Sequence, residues 1–111
     1  MVQPFLADAE ETALVYIDGV YSHALRRRVP LPHAGDREVF FLDEDLSPVQ
    51  ATDHERAVAE AALPSGLLYG RVDLMAGLVL ELEIAEPSLY LTYGDGAAER
   101  FAAAISRRLA A

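Results

Sequence analysis

Four charged side chains in the stretch from Leu68 to Leu91 could do chemistry together: Arg71, Asp73, Glu81 and Glu83. Pairing Leu67–Leu74 with Leu78–Ile84 as antiparallel strands, across a three-residue Ala76-Gly77-Leu78 loop with Gly77 at positive φ, sets Asp73 opposite Glu81. Arg71 then stands opposite Glu83, and all four share one face. The other face would carry Leu68, Val72, Leu74, Leu80, Leu82 and Ile84, so a period of two divides an apolar side from a charged one. Two carboxylates at about 4 Å repel by roughly 4 kcal/mol at an effective dielectric of 20. A divalent cation between them removes that penalty, and Mg²⁺ takes one or two carboxylates and completes its shell with phosphate oxygens and water. The arrangement therefore outlines a cation and phosphate site. The same residues also fit an ordinary Arg71–Glu83 cross-strand ion pair beside a solvated acidic face formed with Glu86.

The elements that must hold these groups can be read from pattern. Residues 13–18 and 20–27 are two β-rich runs around Asp18-Gly19, a strong hairpin signal. Residues 29–36, with two prolines and a glycine, read as loop. A strand is expected near 37–42, followed by an acidic turn ending in Ser47-Pro48. Thr52-Asp53-His54-Glu55 has the spacing of a capping box and opens a helix to about Leu63, before Pro64 and Gly66. After the central hairpin, Pro87-Ser88 opens a turn or short helical piece. A last helix begins at Asp95 or Gly96, with Phe101, Ile105 and Leu109 as its core stripe and Arg107 and Arg108 suiting its C-terminal dipole. The expectation is one α+β unit, mainly an antiparallel sheet with two main helices.

Composition narrows the function. A chain of 111 residues with 52% hydrophobic content can build one core, although much of that content is alanine, which favours helices more than it fills space. A net charge of −9 argues against binding nucleic acid. The one basic cluster, Arg26-Arg27-Arg28, reads as a solvated strand edge or as a phosphate contact. Without cysteine there are no disulfides, thiolate nucleophiles or cysteine zinc sites. The first residues lack the features of a signal peptide and no apolar run is long enough to span a bilayer, so a cytoplasmic location is the default. His23 could be a catalytic base, but a strand histidine is more often a hydrogen-bonded structural group. His33 and His54 have no metal spacing between them, and Ser22 and Ser88 lack a nucleophile-elbow context.

Five segments carry a resemblance to a known family: QPFL at 3–6, LVYIDGVYSHALRRRVP at 14–30, LLYGRVDL at 67–74, ELEIAEPSLYL at 81–91 and AAERFAAAI at 97–105. Together they resemble, in family order, the C-terminal part of an ATP-grasp enzyme. This superfamily includes glutathione synthetase, D-alanine ligase and ribosomal-protein glutamate ligases, and the cycloserine-pathway cyclo-ligase type is the nearest in pattern.

The resemblance implies a C-terminal ATP-grasp subdomain over residues 1–111, with ATP and Mg²⁺, or Mn²⁺ in its place, as cofactors. It implies Asp73, Glu81 and Glu83 as metal ligands, Glu83 standing where many relatives have asparagine. Arg71 would face the transferred phosphate and the tetrahedral intermediate. Glu11 would contact the ribose, Gln3-Pro4-Phe5 would form the hinge beside adenine, and Arg28 would lie near the acceptor and phosphates. Arg37 is a shifted counterpart of the family's turn arginine, because Gly35-Asp36-Arg37-Glu38-Val39 stands where relatives read Gly-Asp-Phe-Arg-Val; Phe40-Phe41-Leu42 then replaces their glycine-rich loop. The expected N-terminal substrate domain and lysine-bearing lid are absent from the chain. All nine basic residues are arginine, so no lysine can replace those of the lid.

Two functions follow as expectations. One is the nucleotide and Mg²⁺ half of a carboxylate-amine ligase working through an acylphosphate, inactive alone, with a small amino-acid-like substrate and a partner chain supplying the lid. The other is a non-catalytic ATP-grasp remnant that serves as a binding or interaction module, or self-associates through Phe5, Leu6, Phe40 and Phe41.

Overall fold

A computed structural model describes residues 8–30, 45–85 and 87–110. Five strands and two helices follow in the order β1 (Asp8–Ile17), β2 (Val20–Pro30), β3 (Asp45–Val49), α1 (Asp53–Ala62), β4 (Tyr69–Met75), β5 (Leu78–Glu83) and α2 (Ala97–Ala110), with a 3₁₀ turn at Leu91–Tyr93 before α2. All strand pairs are antiparallel, in the spatial order β3-β2-β1-β4-β5. This is the expected α+β architecture.

Central β1 explains why the sheet is covered on both sides. Its residues Ala13 to Ile17 are all buried, so neither half of the alternation meets water. Leu14 and Tyr16 pack with Ala24, Val72 and Leu74 beneath α1, which contributes Val58 and Ala59. Val15 and Ile17 pack beneath α2 with Ala104, Phe101, Leu68, Leu89 and Leu91. Leu68, expected beside Val72, is thus on the α2 side, because the chain enters β4 only at Tyr69.

Local signals set the element ends. Asp18 and Gly19 have φ of 53° and 80°, the two positive values of a mirror-image turn that matches strand twist. The Thr52 hydroxyl accepts from the Glu55 backbone N–H, and the Glu55 carboxylate accepts from the Thr52 N–H, which completes the capping box.

Three expectations are corrected. Ser47-Pro48 lies inside β3 and not in a turn; among the described residues β3 pairs only with β2, and an outer strand tolerates proline's missing N–H. In α2, Phe101 packs on the sheet but Leu109 is 82% exposed and Ile105 sits at the margin. Steps of four residues drift about 40° around a helix each time, whereas Ala97, Phe101 and Ala104 keep to one face. Alanine also fills the core: Ala13, Ala24, Ala51, Ala59, Ala97 and Ala104 are buried, and their small side chains let the layers approach. The strand expected at 37–42 lies outside the described residues.

Candidate active site

Arg71 and Asp73 are adjacent on one face of β4, two residues apart as the pleat requires. Both are buried: Asp73 is 0% and Arg71 7% exposed. The Arg71 Nε donates to Asp73 Oδ1 at 2.9 Å and its Nη2 donates to Oδ2 at 2.9 Å, a two-pronged pairing with the guanidinium fork. The remaining Nη1 donates to the Ser88 carbonyl at 3.0 Å, and the Tyr90 ring lies 5.5 Å from the guanidinium carbon. Arg71 therefore bonds its strand neighbour and the 87–90 segment, and not Glu83 across the strand as an ordinary ion pair would have it.

Arg27 extends the cluster from β2, two strands away. Its Nη2 donates to Glu11 and, at 3.2 Å, to Asp73 Oδ2, and its Nη1 donates to the Tyr90 hydroxyl at 3.0 Å. These anions hold Arg27 firmly charged even though burial acts against the charge. Its Nε has no hydrogen-bond partner among the described residues. Arg28 points to the opposite face by alternation, where it donates to Glu10 at 2.9 Å. Arg26 faces the α1 side, 3.7 Å from Glu55. The basic run is therefore split between two faces of an interior strand, and Arg27 is the member that joins Arg71. Arg27 and Tyr90 were missed from the sequence. The signal that could have found Arg27 is its register with Glu11, since both then fall on the Asp73 face.

The β4–β5 register carries the second point of the site. The hairpin turns through two residues, Ala76 and Gly77, with φ of 53° and 78°, rather than three. Such a turn pairs Met75 with Leu78 and Leu74 with Val79. Continued without a break, it would set Glu81 opposite Val72 on the α1 face. A bulge at Leu80 inserts one residue, and the pairing resumes as Asp73 with Glu81 and Arg71 with Glu83. The four residues do share a face, as expected, but through a bulge and not through a longer loop. Glu81 is exposed, and a hydrogen bond with Glu83, aided by partial desolvation and the charges of Glu83 and Asp73, raises its pKa above the ordinary carboxylate range.

This geometry bears on a divalent cation. Among the described residues no three acidic or histidine side chains converge as a metal cage. Asp73 is instead enclosed by two guanidinium groups. Glu81 and Glu83 lie two residues apart on the Asp73 face of β5, the kind of carboxylate pair that Mg²⁺ takes when phosphate oxygens complete its shell. Gln3, Phe5 and Arg37 lie outside the described residues, as do Glu86, Leu6, Phe40 and Phe41. Glu11 is paired with Arg27. His23 is a buried, hydrogen-bonded strand residue. Among the described residues no helix is long and apolar enough to cross a membrane.

Comparison with known proteins agrees with this architecture. No family model matches the sequence. The chain is 38% identical over 125 aligned positions to the cycloserine biosynthesis protein DcsG of Streptomyces lavendulae; the alignment takes in 98% of this chain and 42% of that protein. The chain thus spans about two fifths of the length of this curated relative. The crystal structure of D-cycloserine synthetase DcsG superposes with a TM-score of 0.69 at 36% identity, covering 89% of this chain and 38% of that one. The ATP-grasp ligase PsnB, complexed with a phosphomimetic precursor variant, Mg and ADP, superposes with a TM-score of 0.55 at 21% identity, over 90% of this chain and 32% of that one. The D-alanine–D-alanine ligase of Bacillus anthracis, complexed with ATP, gives 0.52 at 17% identity, over 89% and 37%; these last two likenesses concern the fold. By sequence the chain is related to DcsG over about two fifths of that protein, and by fold it is a C-terminal ATP-grasp-like fragment.

Proposed function

We propose that this chain forms the nucleotide- and Mg²⁺-binding half of an ATP-dependent carboxylate-amine ligase that works through an acylphosphate. The observation that carries this reading is the buried Arg71–Asp73–Arg27 cluster opening onto the Glu81–Glu83 pair, in a chain homologous to a cycloserine biosynthesis protein. Glu81 and Glu83 would hold Mg²⁺, with Asp73 behind them. Bound there, the ion would neutralise charge on phosphate oxygens. Arg71 faces the same space with a fixed positive charge, suited to steady a phosphate or tetrahedral oxyanion. Asp73 holds that guanidinium in one orientation, and Arg27 adds a second cation behind the carboxylate. Glu11 is placed to receive a ribose only by releasing Arg27.

The reading extends to residues 1–111 as one subdomain whose lysine-bearing lid and substrate domain come from elsewhere, on a partner chain or a further stretch of polypeptide. The donor is then a small carboxylate and the acceptor an amino-acid-like amine, by analogy with the relative. The chain alone does not turn over ATP at a useful rate, because positioning depends on groups it lacks.

Calorimetric titration with Mg²⁺ and a non-hydrolysable ATP analogue tests the proposal. Binding that needs Mg²⁺ and disappears in Glu81→Gln is expected. A well-folded chain with no affinity would overturn it, and sustained ligase turnover by the purified chain, lost in Asp73→Asn, would overturn the requirement for a lid.

A second reading, a non-catalytic binding module, is favoured by one observation. Outermost strand β5 exposes Leu78, Val79, Leu80 and Leu82, with Ile84 just beyond, and no strand pairs beyond it among the described residues. Sedimentation analysis showing a stable dimer, with no nucleotide affinity, would favour this reading.

A further inference from the structure

The segment from Pro87 to Gly94 covers the site yet has little regular structure of its own. It supplies the Ser88 carbonyl to Arg71 and the Tyr90 hydroxyl to Arg27, and Tyr90 adopts a left-handed φ of 49°. Its own backbone bonds, Tyr93 N–H to the Tyr90 carbonyl and Gly94 N–H to the Leu91 carbonyl, leave the Leu89 carbonyl to an outside donor.

That donor is His23, on β2 and 6% exposed. Its Nε2 lies 2.9 Å from the Leu89 carbonyl oxygen. A carbonyl can only accept, so Nε2 carries the proton and Nδ1 is bare. Nδ1 then accepts from the Ser22 hydroxyl at 2.7 Å. The Ser22 oxygen in turn accepts from Arg100 Nη2 of α2 at 2.9 Å. At the far end of the segment Gly94 packs on the imidazole so closely that a Cβ there would lie 2.4 Å from the ring Cγ. One imidazole thus touches the segment at Leu89, between Ser88 and Tyr90, and again at Gly94.

We infer that His23 is a positioning residue for the Arg71 site: its Nε2–H fixes the Leu89 carbonyl, and its ring face seats Gly94, so that Ser88 and Tyr90 are held against Arg71 and Arg27. This inference rests on the reading of that face as the nucleotide site, which gives the positioning its use. It requires one tautomer, one donor at the Nε2 position, and a neighbour without a side chain at Gly94.

Imidazole ¹⁵N shifts of the wild-type chain test the tautomer directly; Nε2 protonation is expected, and an Nδ1-protonated ring overturns the inference. His23→Gln retains an N–H at the Nε2 position, whereas His23→Asn is too short to reach Leu89. In the ligand-free chain the Arg71 Nε–H signal should stay sharp and slowly exchanging in the Gln variant and broaden in the Asn variant. Affinity for Mg²⁺ with the ATP analogue should fall about tenfold in Asn, the scale of one lost buried hydrogen bond, and recover in Gln. An Arg71 signal unchanged in Asn overturns the inference. If Asn does not fold, Ser22→Ala decides: it leaves the Leu89 bond in place, so loss of the Arg71 signal there places the control at Ser22 and overturns the role of Nε2. A wild-type chain that binds no nucleotide refutes the functional reading alone, while the Arg71 signal still decides the role of His23.

Discussion

Arg71 and Asp73 are paired along one strand and not across two: both hydrogen bonds of the guanidinium fork run to the carboxylate two residues on, at 2.9 Å each. Because Arg27 reaches the same carboxylate from β2, Asp73 is a buried anion shared by two cations. Such a group fixes a constellation more than it stabilises a fold.

Replacing Asp73 by asparagine therefore leaves two guanidiniums without their common counter-charge. The expected loss of stability is about 3–5 kcal/mol, the cost of breaking a buried ion pair from one side. Urea unfolding measures it. A loss below about 1 kcal/mol, in the range of an exposed ion pair, would mean that water already screens the cluster.

Deleting Leu80 removes the bulge while keeping the two-residue turn and every charged residue, so the ladder runs unbroken with Glu81 still opposite Asp73 and Glu83 opposite Arg71. Mg²⁺-dependent nucleotide binding is therefore expected to survive this deletion. Loss of binding, with far-ultraviolet circular dichroism still reporting a folded sheet, would show that the local twist of the bulge, and not only the facing of the two carboxylates, shapes the site.

His23 links the fold to pH. Burial, reinforced by the charge of Arg100, lowers its pKa below the usual 6.5, against the opposing pull of the Leu89 carbonyl. Tyr21, Tyr93 and Asp95 share its cavity. The unfolded chain binds this proton more readily, so stability from this residue is full above about pH 6.5 and declines as pH falls toward the lowered value. Denaturation midpoints measured between about pH 7 and 5 should fall with acid, and His23→Gln should flatten that part of the profile. An identical slope in the variant would assign the effect to other groups.

Asp18 ties the β1–β2 turn to the end of α2 by accepting from Arg107 at 3.1 Å and Arg108 at 3.0 Å. These bonds lower its carboxyl pKa, yet the group is exposed. Asp18→Asn, which tolerates the same positive φ of 53°, should speed amide exchange in the last turn of α2 with little change in global stability. Unchanged exchange would show that the helix end is held by packing alone.

The sequence by itself determined the local events: the Asp18-Gly19 turn, the Thr52 capping box and the strand character of the Arg71 and Glu81 segments. Each depends on residues within a few positions of one another, where backbone preference and alternation decide. It also carried the family resemblance and named Arg71, Asp73, Glu81 and Glu83 as one face. Only the tertiary structure decided how that face is used. The Leu80 bulge chose which side Glu81 occupies, a one-residue matter that alternation cannot settle. Placement of β2 inside the sheet chose Arg27 over its neighbours, because β3 on one side and β1 on the other fix which residues alternate toward Asp73. Burial of a charge depends on groups distant in the chain, and here Tyr90, Ser88 and His23 come from segments that no short-range pattern connects to Arg71.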